Sequence, residues 1–305
     1  MFRTKIASII FTAILLSTVA FAGNSPTFTT IDNPGDPTFN QLLGINTSGV
    51  ISGYFGSGQA GHPNQGYTIA PPYTEFVSEN LPGSVQTQVT GINGSVTTGF
   101  WAPTNTGTDS NYGFIREANG FTYISVNNPL GTGSFEVNQV LGINKSNIAV
   151  GFYADANGNP HGYAYNVTDG KFTPVGPNGA ASSTAAGINS SNLICGSFTN
   201  SNGQMKAFLK PLTGGQAIVF NVPGSQMTQF LGINDSGVAV GFYEDSQNID
   251  HGVIYNPSNG QWQTIDNPQG VLGSVLNGIN DKNQVVGFFT DAANNVHGML
   301  VEGLE

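Results

Sequence analysis

Residues 231–253 read LGINDSGVAVGFYEDSQNIDHGV. An apolar run ends in Gly232-Ile233-Asn234, a turn rich in Asp, Ser and Gly follows, and a second apolar run ends in Phe242-Tyr243. A polar loop then leads to His251-Gly252. Residues 141–163 repeat the string almost letter for letter as LGINKSNIAVGFYADANGNPHGY. The tripeptide Gly-Ile-Asn begins at 44, 91, 142, 187, 232 and 278, so the unit recurs six times at spacings of 45–51 residues. That period suits a four-stranded propeller blade of about 40–50 residues and is too long for a solenoid of short turns.

Each unit divides into four short strands. The first ends in Gly-Ile-Asn; the turn after it (NTSG, NGS, NKSN, NSSN, NDSG, NDKN) uses residues that tolerate left-handed backbone or bond their own main chain. The second carries the aromatic pair, the third begins at His-Gly or its counterpart, and the fourth runs into an Ile-Asp-x-Pro-like string. The strands are β-branched or aromatic and bounded by turn residues. Phe28-Thr29-Thr30-Ile31-Asp32-Asn33-Pro34 is a fourth strand standing ahead of the first repeat, whereas the chain finishes on a third strand at His297-Gly298-Met299-Leu300-Val301. The pattern predicts an all-β, six-bladed propeller spanning 23–305 as a single domain, with the N-terminal strand closing the last blade and leaving only short protected edges.

The first residues, MFRTKIASIIFTAILLSTVAFAGNS, read as a secretory signal peptide over 1–22: Arg3 and Lys5, an apolar run, then Ala20-Phe21-Ala22 as the cleavage motif. The expected address is extracellular or periplasmic, without membrane insertion after cleavage. Removing Arg3 and Lys5 while keeping all 18 acids makes the chain more negative than its formal −10, which excludes phosphate-backbone binding to nucleic acid. Cys195 is the single cysteine, so no internal disulfide supports the fold. Charged residues are only 9%, yet 10% aromatics and regular alternation argue for a packed chain over a disordered one.

The GIN-x-SG-V-x-x-GFY…HG-[YF]…F-x-x-ID-x-P pattern resembles the extracellular HAF-type repeat proteins over residues 28–301. The resemblance implies a secreted bacterial β-repeat protein and leaves activity open. The motif departs from its name, since the triplets here are His161-Gly162-Tyr163, His251-Gly252-Val253, His297-Gly298-Met299 and Lys206-Ala207-Phe208.

Residues repeated in every blade point to packing. The glycine before Ile is expected to let neighbouring sheets approach, and the first aromatic of each pair to fill the core more than the second. His161, His251 and His297 share one register position, spread around a ring, so a hydrogen bond to a neighbouring loop is expected in place of a metal site. His62 is expected to be solvated. The five N-x-[ST] strings at Asn46, Asn93, Asn144, Asn189 and Asn234 are explained by turn chemistry.

A binding site is expected on the face carrying the variable loops from strand two to three and strand four to one. The candidate binding residues there are Trp101, Asp109, Glu136, Tyr153, Asp155, Tyr243, Glu244, Asp245 and Asp291. Three readings compete: a non-catalytic scaffold for an extracellular carbohydrate or protein, a polysaccharide-acting glycosidase or lyase using two of the acids, and a purely structural surface protein. No GxSxG, HExxH or EF-hand string accompanies them. No cofactor is expected; Asp155–Asn159 and Asp245–Asn248 are short oxygen-rich loops that raise calcium as a side question.

Overall fold

The computed structural model describes residues 25–104, 110–120, 122–127 and 137–304. It contains six four-stranded antiparallel sheets. Five are simple meanders over 40–78, 86–126, 138–174, 182–220 and 227–264, here blades one to five. Blade six joins three strands from 273–302 to the N-terminal strand Thr27–Thr30, whose register runs Thr27 opposite Glu302 to Thr30 opposite Met299. The ring is a six-bladed β-propeller, closed by the N-terminal strand as the sequence indicated. No helix among the described residues is long and apolar enough to cross a membrane.

Gly-Ile-Asn builds the hub. In every blade the register slips by one residue just before this glycine, at Leu43, Thr90, Leu141, Ala186, Leu231 and Asn277. This bulge turns the extra side chain into a central channel of about 200 Å³. The glycine beside it meets its neighbour around the whole ring. A Cβ on Gly91 would lie 3.0 Å from the Gly142 Cα, one on Gly232 3.0 Å from the Gly278 Cα, and one on Gly278 3.1 Å from the Gly44 Cα. Only a residue without a side chain lets six innermost strands converge so closely.

The asparagine does two jobs. Its Oδ1 caps its own turn; that of Asn189 accepts from Ser191 N (3.1 Å) and Leu193 N (3.0 Å). Its Nδ2 crosses to the next blade: Asn46 to Gly94 O, Asn93 to Ile143 O, Asn144 to Asn189 O, Asn189 to Asn234 O, Asn234 to Asn280 O, and Asn280 back to Asn46 O, at 2.7–3.4 Å. A closed circuit of six bonds thus stitches one mouth of the channel. Turn chemistry accounts for half of what this residue does.

The core lies between blades. Val150 and Ala164 of blade three pack on Ala185, Ile194 and Phe208 of blade four, and equivalent clusters join the other neighbours. Each fully buried ring such as Phe208 or Phe230 contributes roughly 1.5–3 kcal/mol of apolar burial. The aromatic pairs follow expectation in blade one, where Tyr54 is buried and Phe55 half-buried, and depart from it elsewhere. Phe100, Phe152, Phe242 and Phe288 are only half-buried, while Phe289, a second member, is buried. These first members pair with Gln88, Gln139, Gln229 or Val275 of the innermost strand, and Phe100 lines the channel. The second member stacks on the third-strand ring beside it, as Tyr153 does on His161 (centroids 5.4 Å) and Phe289 on His297 (5.1 Å).

Candidate functional site

The antiparallel meander places the loops from strand two to three and from strand four to one at the same end of the ring, opposite the Gly-Ile-Asn turns. On that face the histidines form a repeated device. His251 lies between two carboxylates, with Nδ1 2.7 Å from Asp266 Oδ2 and Nε2 3.4 Å from Asp245 Oδ2. His297 does the same with Asp32 (2.7 Å) and Asp291 (3.3 Å). Partial burial alone would lower both imidazoles, but the flanking carboxylates outweigh it and raise their pKa above the ordinary value. The second oxygen of Asp266 takes Gly252 N at 3.1 Å, and that of Asp32 takes Gly298 N at 3.0 Å. The histidines bond neighbouring loops, as expected.

The first acid of each strand-two-to-three loop is an Asx-turn residue. Asp155 Oδ1 accepts from Asn157 N and Asn159 N, Asp245 Oδ1 from Gln247 N and Ile249 N, and Asp291 Oδ1 from Ala293 N and Asn295 N, all at 2.7–3.0 Å. Their other oxygens face the histidines. These bonds hold all three carboxyls below the usual range, the His161 contact leading for Asp155 and backbone N–H groups for Asp245 and Asp291. Asn200 makes the same turn in blade four with a neutral side chain. Turn formation therefore accounts for the oxygen-rich loops, and no cluster of three or more His, Cys, Asp or Glu suited to a metal ion occurs among the described residues. His62 is exposed, as expected, and its Nδ1 lies 2.8 Å from the buried Asp36.

Blade three breaks the pattern. Where blades five and six have Asp266-Asn267 and Asp32-Asn33, blade three has Gly176-Pro177. At four other junctions among the described residues a polar side chain opening the next blade accepts from the backbone N–H of the second residue: Asn33 N to Asn40 Oδ1, Leu81 N to Thr87 Oγ1, Val222 N to Thr228 Oγ1, and Asn267 N to Ser274 Oγ. Pro177 has no N–H to give. The Ser183 hydroxyl turns instead to Gly162 N (3.0 Å) and Val175 O (2.9 Å). The result is a crevice of about 580 Å³ at the edge of blade three against blade four. Tyr153, His161, Phe172, Pro177 and Asn178 line it, with Lys210 from blade four.

The candidate residues are dispersed around the ring. Tyr153 lines this crevice, and Asp155 stands behind His161 at 3.0 Å. Trp101 packs on Tyr112 in blade two, with centroids 5.1 Å apart. Tyr243 stacks on His251 in blade five, Asp245 and Asp291 bond their histidines, and Glu244 lies opposite Asp250 on the adjacent strand. Asp109 and Glu136 lie outside the described residues. His161, Phe172, Asn178 and Lys210 line the crevice with Tyr153 but are not among the sequence candidates. The signal was in the sequence, as the loss of Asp from the Ile-Asp-x-Pro string at Gly176.

Solved structures share this architecture. The fold is one that a lectin and a sialidase share.

A point mutant of the Aleuria aurantia lectin, in complex with Fucα1-6GlcNAc, matches at TM-score 0.51 and 11% identity over 86% of this chain and 91% of that one. A triple arginine mutant of AofleA from Arthrobotrys oligospora matches at TM-score 0.53 and 11% identity over 92% and 90%. The Trypanosoma rangeli sialidase matches at TM-score 0.51 and 8% identity over 91% of this chain and 59% of its own. The sequence matches no family model and no curated protein significantly.

Proposed function

We propose that this protein is a secreted, non-catalytic propeller that binds an extracellular carbohydrate, with the crevice between blades three and four as its site. The observation that carries the reading is the interruption at Gly176-Pro177 of a loop network repeated in the other blades, as far as the described residues show it. Where that network closes, His251 and His297 are sealed between the chain's own carboxylates; where it opens, aromatic faces and hydrogen-bonding groups stand together in one cavity. Tyr153 and Phe172 offer apolar faces for sugar C–H groups, while His161 and Asn178 offer polar contacts, the mix typical of small-ligand sites. A ring of this fold holds a fucosyl disaccharide in the Aleuria lectin.

The test is a glycan and polysaccharide array probed with the purified protein, with and without EDTA. Selective retention that survives EDTA and is lost in Tyr153→Ala supports the reading; a blank array overturns it and directs attention to a protein partner. Loss with EDTA would instead bring calcium into the site.

A polysaccharide-acting enzyme is the second reading, and one pair of acids favours it. Glu244 and Asp250 are cross-strand partners, and Asp250 is raised above the usual carboxylate range by burial first and by Glu244 second. A raised acid beside a second carboxylate suits general acid–base chemistry. Glu244→Gln abolishing turnover of any retained polysaccharide would support that reading, and the absence of turnover in the wild type would end it.

A further inference from the structure

The carbohydrate reading says nothing about the charge of the sugar; the broken repeat does. Three blades present a histidine at the same register position, each stacked on a second-strand ring. In blades five and six the imidazole Nδ1 is met at 2.7 Å by an aspartate that follows strand four. In blade three Gly176 stands at that position and brings no side chain. Ser183 satisfies Gly162 N in place of the missing carboxylate, and His161 Nε2 keeps its bond to Asp155. His161 Nδ1 has no partner among the described residues.

We propose that the crevice takes a uronic-acid residue of an acidic saccharide, its carboxylate resting on His161 as Asp266 and Asp32 rest on His251 and His297. The inference depends on the carbohydrate reading. Charge supports it independently. The chain carries 18 acids against eight bases, yet the crevice lining has Lys210 and His161 and no carboxylate. Its volume, about 580 Å³, falls within the range of small-ligand sites.

A carboxylate on His161 Nδ1 leaves the Asp155 bond in place, because the imidazolium donates from both nitrogens where the neutral ring donates from one. The groups around the imidazole are Asp155 on its Nε2, Lys210 across the crevice, and the phenols of Tyr153 and Tyr163. Asp155 is held low, first by its bond to His161, and burial pushes both phenols up.

The experiment is calorimetric titration of the full protein with galacturonate, glucuronate and mannuronate oligosaccharides and with their neutral methyl esters. At least one free acid is expected to bind about tenfold tighter than its ester, the difference a charge-assisted bond makes. His161→Phe, which keeps a ring against Tyr153, should erase that difference, and His251→Phe should leave it. Equal binding of acid and ester overturns the inference even without the variants. Neutral glycans binding through Tyr153 with no preference for the acid would sink it and leave the carbohydrate reading standing. No saccharide binding of any kind sinks both. An acidic peptide that binds through His161 while every uronate fails also overturns it.

Discussion

Asn189 offers the sharpest test of how the ring is held together. Its side chain is buried, caps the turn through two acceptor bonds, and donates across to Asn234 O at 3.0 Å. Asn189→Ala removes three hydrogen bonds at about 1 kcal/mol each, a loss of about 3 kcal/mol. Asn189→Asp separates the two jobs. The carboxylate still accepts from Ser191 N and Leu193 N, but it points an oxygen at the Asn234 carbonyl where an amide N–H had been. Its cost should be about 2–4 kcal/mol near neutral pH. That cost should be relieved in acid, because burial beside a carbonyl raises this carboxyl and its protonated form can donate again. With the penalty present above the raised pKa and fading as pH falls through it, the gap between wild type and Asn189→Asp narrows between about pH 7 and about pH 4. Urea denaturation followed by tryptophan fluorescence and far-UV circular dichroism measures both effects, and the alanine variant should melt roughly 6 °C lower. An alanine variant within about 0.5 kcal/mol of wild type, or an aspartate variant whose deficit does not change with pH, would refute the interblade role.

Three further outcomes follow from the same geometry. The His251 and His297 sandwiches have raised imidazole pKa values, so their stabilisation is complete below the unfolded value of about 6.5 and fades as pH rises through the folded one. Thermal melts should therefore fall between about pH 6 and about pH 8.5, and fall less in the His251→Gln/His297→Gln double variant. At the hub, Gly232→Ala places a Cβ 2.7 Å from Asn277 O and should cost about 1–3 kcal/mol or more, whereas Gly142→Ala, at 3.3 Å from Ala186 O, should cost visibly less in the same melts. Glu244→Gln removes the charge facing Asp250 and should lower the Asp250 pKa, read by carboxyl NMR, while raising stability by about 0.2–1 kcal/mol at neutral pH.

The architecture was legible because its determinants are local and written six times. Gly-Ile-Asn, the turn after it and the apolar alternation each need only neighbouring residues to make sense, and the displaced strand at 27–30 explains closure by simple counting. What local reading misses is what a residue does across blades. The asparagine circuit joins positions 45–50 residues apart, or 234 where the ring closes, and no turn rule foresees it. The Arg116–Glu79 pair between blades one and two is hidden for the same reason. The aromatic pairs misled because alternation says which residues share a face without saying that one face turns towards the channel mouth. Choosing site residues by acidity on variable loops gathered Asp155, Asp245 and Asp291, which shape turns and hold histidines. The position beside the crevice is the one where the repeat loses a side chain, Gly176, a feature that acidity does not mark.

The most direct measurement is an amide chemical-shift map of the protein titrated with whichever saccharide the array retains. Shifts concentrated at Tyr153, at His161 to Tyr163 and at Gly176 to Ala180 are the predicted result. Shifts confined to another blade or to the channel mouth, with these residues unmoved at saturation, would contradict the assignment of binding to the crevice between blades three and four.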